Sequence, residues 1–166
     1  MYKRLLLCTD LYPSSDYAFA TALDMAEASG ADLIVLHVLE SPKRYSGHFV
    51  TYDGEVWASS EVFGKLKKNL KRYYLMRVDE EKHRKVRFEV RAGVPWLEIL
   101  RTARKEKVDV IIMGPYTDFG PESGIEAAPH IGKNAQKVSL KARCPVSIVT
   151  SPKQRQAMEV AEKEKA

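Results

Sequence analysis

Cysteine is scarce in this sequence. Only Cys8 and Cys144 occur among 166 residues, which is too few for a disulfide framework. Because each lies in an apolar run typical of a strand, we expect two buried thiols. The four histidines lack the paired spacing of zinc ligands, so no metal site is predicted. Nine Gly and eight Pro without a repeat exclude collagen-like and low-complexity chains.

Long apolar runs are also missing. No run approaches the roughly 20 residues that cross a bilayer, and the apolar stretch after Lys3 is too short for a signal peptide. We therefore expect a cytoplasmic protein without a membrane partner. With 45% apolar and 30% charged residues, the chain fits one globular domain over residues 1–152 and a charged tail over 153–166.

The positive charge is concentrated in one segment. Residues 65–91 contain eleven Lys and Arg against four Asp and Glu, whereas the whole chain has a net charge of +5. Such a segment can attract polyanions. Aromatic residues are not interleaved with these charges as in a nucleic-acid reader, so a solvated helix face is favoured and nucleic acid is not expected as a partner.

Five apolar runs have the length of strands, namely 5–8, 33–39, 86–90, 108–113 and 145–149. Most lack alternation, which is typical of strands covered on both faces, whereas residues 86–90 alternate with charges as an edge strand does. Helical periods separate the runs. Ser14 or Ser15 is expected to cap the first helix, Gly30 to end it, and Pro95 to open the third.

Strict alternation of strand and helix predicts an α/β fold, a doubly wound parallel sheet with helices on both faces. The orders 3-2-1-4-5 and 2-1-3-4-5 are both compatible with five strands. Residues 86–90 look like an edge strand, which favours 3-2-1-4-5. In that order the chain reverses direction between the first and fourth strands, and ligands bind at such a point.

Two strand ends meet at this predicted crevice. Thr9-Asp10 follows the first strand and Met113-Gly114 ends the fourth. A carboxylate there accepts hydrogen bonds from amines or hydroxyls, and glycine lets a ligand approach the backbone. Turn or helix-capping roles explain Asp10 and Gly114 equally well from position alone.

A helix start is expected at the same crevice. The fourth helix begins near Gly132-Lys133-Asn134, and unpaired amides at a helix start attract phosphate. Lys133 can add a point charge to a bound phosphate, although it is unfavourable beside the helix dipole when the site is empty.

Two long segments carry a family resemblance. Gly93-Val94-Pro95 leads through Glu98-Ile99-Leu100 to Val108–Gly114, and Gly132 leads through Lys137-Val138 to Cys144–Val149. Together with Leu7–Asp10, Ser15 and Ala18, they make residues 3–151 resemble the universal stress protein family. The resemblance implies an adenine nucleotide alpha hydrolase-like sheet in the order 3-2-1-4-5. It also implies a homodimer formed through the last strand, residues 145–150.

The resemblance further implies a nucleotide site, because one branch of the family binds ATP. The family positions that hold adenine, nucleoside, ribose and phosphates match Asp10, Val38, Met113, Gly114 and Gly132. With the positional arguments above, the predicted nucleotide-binding residues are Thr9, Asp10, Val38, Met113, Gly114, Gly132, Lys133 and Asn134. The expected cofactor is ATP or another adenine nucleotide, with or without magnesium.

The sequence departs from the family's ATP-binding pattern near the phosphates. Thr117 takes the place of a second glycine, Lys133 replaces a serine or threonine, and the spacing from Gly114 to Gly132 indicates an insertion within residues 118–129. Tyr116 and His130 flank that insertion and could contact a ligand. A lid or a dimer contact explains the loop equally well.

Several enzyme classes are excluded by missing motifs. The sequence contains no GxxxxGK[ST], GxGxxG or GxSxG pattern, and no catalytic residue is predicted. Slow ATP hydrolysis would have only Asp10 or His130 as a general base. Two hypotheses remain: a regulatory adenine-nucleotide-binding protein of the stress response, or a nucleotide-independent dimeric adaptor with a blocked pocket and an unknown protein partner.

Overall fold

A computed structural model describes residues 1–40, 51–52, 55–56, 60–79, 85–116 and 131–165. Strands and helices follow one another along the chain. The elements are β1 Arg4–Thr9, α1 Pro13–Ser29, β2 Asp32–Glu40, β3 Thr51–Tyr52, β4 Glu55–Val56, α2 Ser60–Leu75, β5 Val86–Gly93, α3 Pro95–Lys105, β6 Val110–Met113, α4 Lys133–Lys141, β7 Val146–Ile148 and α5 Pro152–Lys165.

The main sheet is parallel and has five strands in the order β5-β2-β1-β6-β7. Counted along the chain, this is the predicted order 3-2-1-4-5, and the alternative 2-1-3-4-5 is wrong. The strand at residues 86–93 lies at an edge, as its alternating charges predict. β1 occupies the centre, where Leu7 pairs with Val35 on one side and Ile112 on the other.

Helices cover both faces of this sheet. Leu5 and Leu7 point to one face and pack with α1 and α2, whereas Leu6 and Cys8 point to the other and pack with α3 and α4. The three leucines are fully buried, which explains why β1 is continuously apolar. Each buried leucine contributes about 1.5–3 kcal/mol, so the centre of the sheet is a rigid base for the residues at its end.

The predicted helix ends are partly confirmed. Gly30 ends α1 in the left-handed conformation, with φ of 70°, and Pro95 is the first residue of α3. The expected serine cap of α1 is wrong, because Tyr12 is the N-cap residue and no side chain caps the helix. Pro13 fixes the first helical position, so both serines fall inside the first turn, where Ser15 bonds to Asp10 instead.

The two thiols differ in environment. Cys8 is buried in β1, and burial raises its pKa. Cys144 precedes β7 and is only half-buried, so the expectation of a buried thiol is wrong for Cys144. The apolar run at 145–149 forms a strand that starts one residue later than expected, which leaves Cys144 in the preceding turn.

Two further elements extend the fold. In the connection after β2, the short strands β3 and β4 pair antiparallel. The charged C-terminal segment forms α5. Its start is a reciprocal capping box, in which Ser151 Oγ accepts from Gln154 N at 3.1 Å and Gln154 Oε1 accepts from Ser151 N at 2.9 Å. Among the described residues, no helix is long and apolar enough to cross a membrane.

Candidate functional site

A cavity of about 600 Å³ opens at the carboxyl ends of the central strands. It lies between the end of β1, the end of β2, the end of β6 and the start of α4, where the strand order reverses. All eight residues predicted from the sequence line it: Thr9, Asp10, Val38, Met113, Gly114, Gly132, Lys133 and Asn134. Four segments that are distant in sequence therefore contribute to one site.

Asp10 is held by its own turn. Its Oδ1 accepts hydrogen bonds from Ser15 Oγ at 2.6 Å and from the Tyr12 amide at 3.0 Å. Ser15 Oγ also lies 3.4 Å from the Asp10 amide, which donates to it. Within the described part of the chain, both bonds to this carboxylate go to Oδ1, so Oδ2 is available to a ligand.

Thr9 contributes to the cavity mainly through its backbone. Its hydroxyl lies 2.5 Å from the Tyr74 hydroxyl of α2, and the Leu11 amide donates to it at 3.0 Å. His37 Nδ1 lies 2.9 Å from the Thr9 carbonyl oxygen. Because a carbonyl oxygen only accepts, Nδ1 carries the proton, which makes Nε2 of the neutral ring an acceptor.

The two site glycines are needed for different reasons. A Cβ on Gly132 would lie 3.2 Å from the Pro115 carbonyl oxygen, the atom to which the Gly132 amide donates at 2.7 Å. Gly132 thus lets two backbone segments approach each other. A Cβ on Gly114 would meet Tyr116 O first, at 3.9 Å, and Gly114 does not have a positive φ. Neither packing nor backbone conformation requires glycine at position 114. The effect of its missing side chain is to leave space beside the cavity.

The start of α4 presents unpaired amides. Gly132 is its N-cap residue and provides no side-chain cap. The first intrahelical bond runs from the Gln136 amide to the Gly132 carbonyl oxygen at 2.9 Å, so the three preceding amides have no described partner. The exposed side chains of Lys133 and Asn134 flank them. This end of the cavity is suited to an anion.

One wall of the cavity is apolar. Leu36, Val38, Ile99 and Met113 line the cavity between the carboxylate and the helix start. Leu36, Ile99 and Met113 belong to the buried core cluster that joins the sheet to α3 and α4, and Val38 packs against that cluster. A flat apolar group with a donor at one end and a negative group at the other would match these three regions.

Several further residues that line the cavity were not predicted from the sequence, among them Ser15, His37, Glu40 and Pro95. Ser15 and His37 carried a signal, since a serine one turn after the site aspartate and a histidine at a strand end can bond to the turn. Tyr116 lines the cavity. Thr117, the insertion within 118–129 and His130 lie outside the described residues.

Metal ligands are not clustered among the residues that the structure describes. No group of three or more His, Cys, Asp or Glu side chains is placed there to hold an ion. Cys8 lines the cavity, and because burial raises its pKa, its thiol stays protonated at neutral pH. The described groups at the cavity thus include a carboxylate, the amides at the start of α4 and apolar side chains.

The comparisons with known proteins agree on one family. A model of the universal stress protein family matches residues 1–150. A universal stress protein of Methanocaldococcus jannaschii is 31% identical over 157 residues, which are 92% of this chain and 85% of the relative. The match thus includes all strands of the main sheet and the whole cavity.

Solved structures share the fold. A universal stress protein in complex with cAMP aligns over 90% of this chain and 99% of its own, with a TM-score of 0.58 and 20% identity. A universal stress protein from Archaeoglobus fulgidus in complex with dAMP aligns over 90% and 98%, with a TM-score of 0.51 and 18% identity. At these identities the likeness shows the fold alone.

Proposed function

This chain belongs to the universal stress protein family, and from that premise we propose that it is a regulatory protein that binds an adenine nucleotide in the cavity. The observation that carries the proposal is the convergence of Asp10, Gly114 and the start of α4 on one cavity of about 600 Å³. Family members of the same fold have been crystallised with cAMP and dAMP. A protein that senses the nucleotide concentration needs only to bind the nucleotide, without a chemical reaction.

The purine would lie against the apolar wall. Val38 and Met113 line the cavity beside Asp10, and Asp10 Oδ2 can accept a hydrogen bond from the exocyclic amine of adenine. The carboxylate costs little to order on binding, because Ser15 and Tyr12 already hold Oδ1. This arrangement favours adenine over a purine that lacks the amine.

The phosphates would lie at the start of α4. Three amides that have no partner among the described residues, together with the Lys133 ammonium, provide positive charge there. Lys133 then performs the task of the hydroxyl residue that the family's ATP-binding pattern has at this position. If magnesium is present, it would arrive with the nucleotide, because the described residues offer it no carboxylate cluster.

Titration calorimetry with AMP, magnesium ATP and adenosine tests the proposal. The protein is first checked by mass spectrometry for nucleotide carried through purification. We expect micromolar binding that weakens in the order ATP or AMP to adenosine, and a loss of affinity of about tenfold, or 1.4 kcal/mol, in Asp10→Asn. Asp24→Asn, at an exposed position of α1, is the matched control. Folded protein that carries no nucleotide and binds none would overturn the proposal.

Lys133 has its own test. Lys133→Gln should weaken AMP more than adenosine at low salt, whereas Lys137→Gln, one helical turn further along α4 and over the Trp96 ring, should not. Equal affinity of Lys133→Gln and the wild type for AMP would show that Lys133 does not contact the phosphate.

A nucleotide-independent adaptor is the second candidate function. Lys67, Lys68, Lys71 and Arg72 are exposed at spacings of three and four on α2, and none forms an ion pair with another described residue. This cluster is suited to an acidic protein partner. Absence of nucleotide binding together with salt-sensitive capture of such a partner would favour this function.

We also propose a homodimer formed through the last strand. The edge strand β5 carries Arg87, Glu89 and Arg91, which form ion pairs along it, and such charges resist strand pairing. The opposite edge, β7, consists of Val146, Ser147 and Ile148 and carries no charge. Sedimentation equilibrium should show a dimer at micromolar concentration that Ile148→Lys dissociates. A monomer of 18.8 kDa would contradict this proposal.

A further inference from the structure

The turn that carries Asp10 has an unfavourable backbone conformation. Leu11 has φ of 68°, in the left-handed region that residues with a Cβ rarely adopt. Its side chain is 37% exposed, so packing of Leu11 does little to stabilise the conformation. A hydrogen bond does so instead, because the Leu11 amide donates to Thr9 Oγ1 at 3.0 Å.

The Thr9 hydroxyl is in turn fixed by α2. The Tyr74 hydroxyl lies 2.5 Å from Thr9 Oγ1, and both residues are buried, with Tyr74 at 0% exposure. The Tyr74 ring packs between Phe19, at a centroid distance of 4.4 Å, and Phe88, at 6.5 Å. Such a ring has little freedom to move, so α2 supplies a fixed point for the turn.

Asp10 lies between Thr9 and Leu11, which are joined by the hydrogen bond from the Leu11 amide to the Thr9 hydroxyl. The direction of its Cα–Cβ bond is therefore set by the same turn, and Ser15 and Tyr12 fix the carboxylate only once that direction is correct. We infer that Tyr74 is a positioning residue for the nucleotide site: acting through Thr9, its hydroxyl holds the turn that presents the Asp10 carboxylate to the purine. This inference rests on the proposed function.

The neighbouring residue provides a matched control. Tyr73 is also on α2, and its hydroxyl donates to Asp16 at 3.0 and 2.9 Å. Asp16 belongs to α1 and does not line the cavity. Tyr73→Phe thus removes a phenol hydroxyl and its bond without touching the turn, whereas Tyr74→Phe keeps the buried ring and removes only the bond to Thr9.

The test compares these variants by calorimetry with AMP and with purine riboside monophosphate, which lacks the exocyclic amine. We expect Tyr74→Phe to weaken AMP by about three- to tenfold, the range for one hydrogen bond, and to weaken the analogue less. Tyr73→Phe should leave both affinities unchanged. Thr9→Val removes this bond together with the acceptor of the Leu11 amide, so it should weaken AMP at least as much, and Tyr74→Phe should have no further effect in the Thr9→Val background.

A double-mutant cycle separates positioning from general loss of stability. In the Asp10→Asn background, Tyr74→Phe should no longer change AMP affinity, because Tyr74 acts through the carboxylate. An unchanged affinity and purine preference in Tyr74→Phe, or full additivity with Asp10→Asn, would overturn the inference while the proposed function stands.

Amide hydrogen exchange without ligand gives a separate readout. The Leu11 amide should exchange several-fold faster in Tyr74→Phe than in Tyr73→Phe or the wild type, since its acceptor is no longer fixed. If the wild type binds no nucleotide, the proposed function fails, and this exchange alone decides whether Tyr74 holds the turn. Equal exchange in all three proteins would contradict the inference.

Discussion

Replacing each of the two site glycines by alanine should have different consequences: a loss of stability at Gly132, and a loss of nucleotide affinity without a loss of stability at Gly114. At Gly132 a Cβ would lie 3.2 Å from Pro115 O and 3.5 Å from two atoms of Tyr116. The first of these is a tight contact with a backbone atom, which cannot rotate away, so Gly132→Ala should lose about 1–2 kcal/mol of stability. At about 2–4 °C for each kcal/mol in a chain of this size, the melting temperature should fall by roughly 2–8 °C.

Gly114→Ala should instead leave the fold intact. The nearest atom to its Cβ is 3.9 Å away and φ is not positive, so the loss of freedom in the unfolded chain should stabilise the protein by about 0.4–1 kcal/mol. Because Gly114 lines the cavity, the added methyl group should meet a bound nucleotide and weaken AMP about tenfold or more.

Thermal unfolding without ligand and calorimetry with AMP measure both quantities. The account predicts a stable Gly114→Ala that binds poorly and a destabilised Gly132→Ala. If Gly114→Ala binds AMP as the wild type does, no nucleotide approaches the backbone at this position. A Gly132→Ala that melts at the wild-type temperature would show that the contact with Pro115 is not tight.

Three further predictions concern stability. Lys107 has φ of 52° just after α3, a conformation that glycine adopts without strain. Lys107→Gly should therefore raise the melting temperature by about 2–4 °C, and a decrease would contradict the role of backbone strain at this position. Hydrogen bonds from the Arg4 and Lys3 amides lower the pKa of Asp109. The ionised carboxylate therefore stabilises the fold above about pH 4, and this stabilisation is lost as the pH falls. Asp109→Asn should make stability depend less on pH between about pH 4 and 2, and an unchanged acid transition would contradict this prediction. Burial raises the pKa of Tyr74, so the neutral phenol stabilises the fold below about pH 10 and this stabilisation is lost as the pH rises further. In urea titrations at alkaline pH, Tyr74→Phe should therefore lose less stability than the wild type. An equal loss in both proteins would contradict this prediction.

Much of the fold follows from local patterns in the sequence. The apolar runs at 5–8 and 33–39 lack alternation because both faces of β1 and β2 are covered. The charges at 87, 89 and 91 identify an edge strand, which is enough to choose between two strand orders. The sequence predicts the ends of strands less accurately, because where a strand ends depends on the strands with which it pairs.

The candidate site could be located but not completed from the sequence. Asp10 and Gly114 follow from topology, since the carboxyl ends of β1 and β6 are adjacent in this order. The bond between Thr9 and Tyr74 joins residues 65 positions apart, and no periodicity indicates it. The serine cap was misplaced because Pro13 moved the start of α1 by one or two residues, and the freed Ser15 then bonds to Asp10.

The most direct test of nucleotide binding in the cavity is an amide NMR titration of the full chain with AMP. We expect saturable shifts of the Gly114, Gly132 and Lys133 amides with one common dissociation constant, and little change in Lys67 and Lys71 on the exposed face of α2. Shifts confined to the α2 lysines, or no saturable shifts at millimolar AMP, would contradict it.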